Sequence, residues 1–210
     1  MNATGNSYGA NASEFGGGFS VWRSVDPNGK WQSGGVIANL PPVGSVIAAG
    51  TPVEINTETH AAKLLNFFKV HTTIDDAAEV LKVVVLDGLP RLKAGNFIGV
   101  PAATAGGTMT AITVGAVTEG DGFDSIAIVA NSLGALTAGD LLVEAAETGS
   151  TKLPYAVPNA LTYADVYLKL GDTAATCAAV HTGTVYAKRT PFMSTGVKAA
   201  LASIKFDNAF

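Results

Sequence analysis

His60, His71 and His181 are the whole imidazole supply of this 210-residue chain. Any general-base or metal chemistry that uses imidazole has to be assembled around them. Glu58, Asp75 and Asp76 lie close to the first two in sequence and would add oxygen donors for a cation. One cysteine and three dispersed histidines still fall short of the short, fixed spacings of zinc sites. The pattern therefore predicts no metal ligation and gives the three rings surface or sheet-edge positions. Asp121 and Asp124 in "TEGDGFDS" suggest a calcium loop, but the D-x-[DN]-x-[DN]-G run and its closing glutamate are missing. A polar hairpin connection is expected there. Cys177 stands in "DTAATCAAV", among small apolar residues. A reactive thiolate needs an electropositive, partly exposed setting, so this one is expected to be a buried structural thiol.

The longer signatures are missing as well. The chain has no H-E-x-x-H, no G-x-S-x-G, no Walker loop and no dinucleotide fingerprint after a strand. Carboxylate pairs for hydrolysis meet in space rather than in sequence. A polysaccharide-degrading β protein would, however, carry more aromatic residues than the 8% found here. The expectation is a protein that is not an enzyme, with no catalytic residue, no cofactor and no metal.

The elements that position these residues read as β. "VGSVIAAGTPVEIN", "LNFFKVHTTI", "VLKVVVLDG", "NFIGV", "TMTAITVGAVTE" and "DSIAIVAN" are short runs rich in β-branched and aromatic types. Glycine or asparagine turns separate them. One helical turn is expected at "IDDAAEVLKV", capped by Asp75 or Asp76, and further helix at "NALTYADVYLKL". "STGVKAALASI" predicts a helix capped by Ser194 or Thr195, and "SIKFD" a final strand. The fold class is thus mainly β: a compact sandwich-like or barrel-like domain over 36–210, with two or three short helices.

One turn recurs. Ile47-Ala48-Ala49-Gly50-Thr51, Leu92-Lys93-Ala94-Gly95-Asn96 and Leu136-Thr137-Ala138-Gly139-Asp140 share Ala-Gly followed by a small polar residue and an apolar strand. Gly50, Gly95 and Gly139 lie 45 and 44 residues apart. A type II turn needs φ > 0 at its third position, which glycine supplies. The polar side chain that follows can bond the turn backbone. These three glycines are structural turns with no reactive group beside them.

Residues 1–35 read differently. They are rich in Gly, Asn and Ser, contain Gly16-Gly17-Gly18, and show no hydrophobic period. Such a segment cannot offset its ordering entropy alone, so it is expected to be an extended arm. Yet it carries Phe15, Phe19 and both tryptophans, Trp22 and Trp31. Two readings stand: these aromatics cap the β domain, or they are anchors that fold against another protein.

Charge limits the partners. Only 14% of residues are charged, against about 25% in typical domains. So little charge predicts surface that is covered by oligomerisation or by a partner. The net charge is −4 and the 13 Lys and Arg are scattered, which excludes a nucleic-acid stripe. Lys188-Arg189 is the densest basic cluster. The longest apolar runs are far below the roughly 20 residues of a membrane span. The amino terminus lacks the basic and apolar regions of a signal peptide. Its two glycosylation sequons, at Asn2 and Asn11, are read as chance matches. A soluble chain made in a reducing compartment is expected, without nucleic-acid or membrane partners.

"WQSGGVIANLPPVGSVIAAGTPV", "HAAKLLNFFKV", "TVYAKRTPF" and "KAALASIKF" resemble head fiber proteins of tailed bacteriophages, the capsid-decorating proteins found especially in phages of gut Bacteroidetes. The resemblance covers about residues 31–206. "PVGSVIAAGTPV" is also similar to turns in smaller phage capsid decoration proteins. The resemblance implies a structural virion protein on the outer capsid surface, a homotrimer, made in the bacterial host cytoplasm. Its arm or base would grip the major capsid protein while the distal part faces host or mucosal surface, where a host-surface glycan is a further partner. It supplies no catalytic residues. Trp22, Arg23 and Trp31 are the expected capsid contacts, with Phe15 and Phe19 secondary. Two other classes remain open. One is another virion subunit, of tail, baseplate or monomeric cement type. The other is a carbohydrate-binding module using Tyr155, Tyr163 and Tyr167 as an aromatic platform.

Overall fold

The structure, a computed structural model, describes residues 20–86, 89–130 and 132–208. The first strands are β1 (Trp22–Val25), β2 (Lys30–Ile37), β3 (Val46–Ile47), β4 (Pro52–Asn56) and β5 (Ala61–Leu64). The middle of the chain forms β6 (Phe67–Lys69), β7 (Val80–Val84), β8 (Phe97–Gly99) and β9 (Met109–Thr113). It continues with β10 (Val117–Thr118), β11 (Phe123–Ala127), β12 (Leu141–Glu144) and β13 (Gly149–Lys152). Then come β14 (Ala160–Thr162), β15 (Val166–Tyr167), β16 (Thr176–Val180) and β17 (Gly183–Tyr186). A 3-10 turn at Ala187–Arg189, helix α1 (Thr195–Ala200) and β18 (Ile204–Asp207) end the described chain. The fold is mainly β, as the sequence predicts.

These strands build two lobes, and the first and last described strands share the first lobe. There β14, β16, β2, β5 and β4 close into a barrel, with β14 antiparallel to both β16 and β4. A five-stranded barrel has a narrow bore, so small side chains must alternate with larger ones inside it. Ala62, Ala160, Cys177 and Ala179 fill it alongside Ile37, Val53, Ile55 and Leu64. Fully burying each of the larger aliphatics contributes roughly 1.5–3 kcal/mol. Beside the barrel lies the sheet β1-β17-β18, in which β18 runs parallel to β17. The final strand "SIKFD" forms as expected.

The second lobe is an insertion between β5 and β14. Its sheet β13-β9-β8-β12-β6 faces the shorter β10-β11-β7 across a core that includes Leu81, Ile98, Ile126 and Leu142. A third cluster ties the lobes together, with Trp22, Leu161 and Val185 from one and Met109 and Val143 from the other. The expected single domain over 36–210 is therefore two cores with a shared seam.

The expected arm boundary at residue 35 falls inside β2. Residues 22–25 and 30–37 are strands, and β2 pairs with β16 and β5 to complete the barrel. Glycine here permits close packing: Gly34 has φ +53, and a Cβ on it would lie 1.7 Å from the Cys177 carbonyl oxygen. The first nineteen residues, with Phe15 and Phe19, lie outside the described residues.

Two helix expectations are corrected. At "IDDAAEVLKV" there is a turn, closed by the Ala78 N–H donating to the Asp75 carbonyl (3.3 Å), and then β7. At "NALTYADVYLKL" the chain forms β14 and β15. Barrel closure needs all of Ala160, Leu161 and Thr162 buried in a ladder, which overrides local helix preference. The third expectation holds: Ser194 caps α1, its hydroxyl accepting the Val197 N–H at 3.3 Å.

The recurring turn takes the predicted form in all three copies. Gly50, Gly95 and Gly139 have φ of 80°, 90° and 101°. The closing bonds run from Thr51 to Ala48 (3.2 Å), from Asn96 to Lys93 (3.0 Å) and from Asp140 to Thr137 (2.9 Å). Each polar side chain also locks its turn. The Thr51 hydroxyl donates to the Ala48 carbonyl, while Asn96 and Asp140 accept the N–H of Lys93 and Thr137, all at 2.7 Å. Each glycine N–H then donates to a carbonyl outside its own turn: Thr162, Val114 and Val70 in chain order. The turns thus anchor β4, β8 and β12.

Candidate functional site

The described residues expected to contact a capsid, Trp22, Arg23 and Trp31, differ in exposure. Trp22 is 8% exposed, and its indole N–H donates to the Thr162 carbonyl at 3.3 Å, which places it in the seam between the lobes. It caps the core and is not presented to a partner in this conformation. Arg23, its neighbour on β1, points outward and pairs with Asp207 on β18. Trp31 is half-buried and packs on His181, ring centroids 4.7 Å apart.

The other singled-out groups are also dispersed. His60 is exposed in the β4–β5 turn with φ 54°, and His71 stacks on Phe123 at 4.7 Å. Among the described residues no three His, Cys, Asp or Glu come together as a metal site. Asp121 lies in the β10–β11 connection as expected, whereas Asp124 is a buried residue of β11 itself. Cys177 is buried in the barrel, and burial pushes its thiol up to about 11. The three tyrosines sit on separate elements. Tyr155 packs against the seam and Tyr167 lies on β15, its hydroxyl donating to Asp165 at 3.1 Å. The ring of Tyr163 has the Lys30 ammonium 3.4 Å from its centre.

Two surface features were not visible in the sequence. The first is a cleft of about 280 Å³ where the lobes meet. Its polar lining is Asn66, Arg91, Lys93, Asn96 and Glu144, and its apolar wall includes Leu40, Phe68 and Leu92. Asn66 donates to a Glu144 carboxylate oxygen at 2.8 Å. Burial raises the Glu144 carboxyl above the usual range, although its hydrogen bonds to Asn66 pull the other way. Arg91 lies 3.3 Å from both Glu119 and the buried Asp124. Asp124 also accepts the Gly120 N–H through Oδ1, and its Oδ2 has no hydrogen-bond partner. Sequence reasoning missed this cleft because its walls come from segments near residues 40, 66, 91 and 144.

The second feature is apolar. Val100, Leu153 and Val157 are 40%, 52% and 43% exposed, and each is the chain neighbour of a residue lining one small apolar groove that includes Pro101, Pro154 and Ala156. Elsewhere Leu170 projects from the turn after β15 and is 95% exposed. Single exposed aliphatics are ordinary. Several that adjoin, along the chain, the lining of one apolar groove mark surface suited to being covered.

Among the described residues no helix is long and apolar enough to cross a membrane. No protein-family model matches the chain, and neither a curated protein nor a solved structure shows significant similarity to it.

Proposed function

We propose that the chain is a structural virion subunit that decorates the outer surface of a phage capsid as a homotrimer. Its amino-terminal segment grips the major capsid protein, and its distal surface faces the host. The observation that carries this reading is the exposure of Val100, Leu153 and Val157, next in the chain to residues lining an apolar groove, on a chain with only 14% charged residues. Such a surface is stable in water when a neighbouring copy covers it. Many copies on a shell would convert a modest contact into firm attachment through avidity. The head-fiber resemblance over residues 31–206 supports the same assignment.

The test is occupancy on phage capsids that lack the protein. A chain beginning at Gly35 would lose β1 and most of β2, so it would confound attachment with folding. A chain beginning at Ser20 keeps every described strand. We expect it to remain folded and to lose capsid occupancy. Full occupancy by the Ser20 chain would overturn the role of the amino-terminal segment, and no binding by the full-length chain would overturn the decoration reading itself.

A further inference from the structure

We propose that the cleft between the lobes binds one sugar residue that bears a carboxylate, an acidic unit of a surface glycan. This deepens the host-facing part of the proposed function and rests on it. The volume, about 280 Å³, stands just below the roughly 300–1,000 Å³ typical of small-molecule sites, so it suits a single ring rather than a chain. A pyranose has one apolar face and a rim of hydroxyls. The cleft is lined by both kinds of partner, the apolar Leu40, Pro42 and Pro90 and the hydrogen-bonded Asn66–Glu144 pair. That pair offers donors and acceptors already held in place, which lowers the ordering cost of binding.

The sign of the ligand follows from the cations. Arg91 meets both of its carboxylate partners at 3.3 Å, longer than the roughly 2.7–2.9 Å of a strong charge-assisted bond. Both contacts are made by Nη1, which leaves the Nε–Nη2 edge of the planar fork to take a ligand carboxylate bidentately. Lys93 is exposed at the rim and has no ion pair among the described residues. Glu144 is the one carboxylate lining the cleft, and its Oε2 is already engaged by the Asn66 amide. Asp124 holds Arg91 from the adjoining hairpin.

The experiment is a calorimetric or NMR titration of the full chain with glucuronic acid and N-acetylneuraminic acid. Glucose and N-acetylglucosamine serve as neutral probes, and acetate as a bare carboxylate. We expect at least one acidic sugar to bind about tenfold or more tightly than the neutral sugars and acetate. Lys93→Ala should weaken that binding about fivefold to tenfold, and Asn66→Ala should weaken it comparably. Lys93 carries the test because Arg91→Ala would also strip a buried carboxylate of its partner and unsettle the fold. Equal binding of acidic and neutral sugars, acetate binding as tightly as the sugars, no sugar binding, or an unaltered Lys93→Ala variant would each overturn the proposal. Binding is read on the free protein, so a negative result counts against this cleft and leaves capsid attachment to its own assay.

Discussion

Replacing the three turn glycines one at a time by alanine should give a graded series whose order follows from the local geometry. At Gly95, φ is +90° and a new Cβ would meet nothing within 4 Å, so only the backbone penalty applies. Holding an L-residue in the left-handed region costs roughly 1–2 kcal/mol. Loss of glycine's freedom in the unfolded chain offsets about 0.4–1 kcal/mol of that. The net destabilisation for Gly95→Ala is then about 1 kcal/mol. Gly139→Ala should match it, since the nearest atom, Lys69 Cε at 3.8 Å, is in ordinary contact. Gly50 differs because its Cβ would press on Val21 Cγ1 at 3.0 Å and Thr190 Cγ2 at 3.1 Å. Both neighbours sit where β1 and the segment after β17 meet the barrel, so Gly50→Ala adds an overpacking cost of roughly 1–3 kcal/mol. Urea unfolding followed by tryptophan fluorescence reads the series. With slopes of about 1–3 kcal/mol per molar, Gly95→Ala should lower the midpoint by several tenths of a molar and Gly50→Ala by about two to four times as much, once the overpacking cost is added. A Gly95→Ala variant as stable as the parent, or equal effects at Gly50 and Gly95, would refute the reasoning.

Trp22 and Arg23 should separate packing from surface charge. Trp22→Ala removes a buried indole at the seam between the lobes and should cost about 3–5 kcal/mol, whereas Arg23→Ala breaks a half-exposed ion pair and should cost under about 1 kcal/mol; thermal unfolding distinguishes them. Cys177 should resist a thiol reagent at pH 8 in the native chain and react once unfolded, because burial favours its neutral form. The same shift fixes a pH dependence. The folded thiol titrates near 11 against an ordinary 9.0, so its stabilisation is complete below pH 9 and is lost as pH rises towards 11. Unfolding measured across that window should show a loss on the order of 2 kcal/mol that Cys177→Ala abolishes.

The parts legible in the sequence are those written in local chemistry. The type II turns were readable because their φ requirement and their side-chain lock involve neighbouring residues only. Two further turns of the same kind, around Gly44 and Gly171, lack the Ala-Gly pair and so fall outside the recurring pattern, although both glycines have positive φ. The glycines before residue 36 misled for a related reason. At Gly34 the missing Cβ lets β2 approach Cys177 on β16, a requirement set by a partner 143 positions later (177 − 34). Residues 159–170 carry a helix-compatible pattern, but barrel closure and pairing with β3 divide them between two strands. The cleft was illegible because Asn66, Arg91 and Glu144 meet only once the strands of the insertion pair, with Leu40 and Pro42 added from the barrel lobe.

The assembled state is the claim on which the functional account turns, and native mass by light scattering tests it most directly. With a chain mass of 21.3 kDa, the account predicts a species of three times that mass for the full-length protein, reduced to a single chain by Leu153→Glu together with Val157→Glu. A full-length chain that stays at 21.3 kDa at every concentration would contradict the trimer and the covered apolar groove on which it rests.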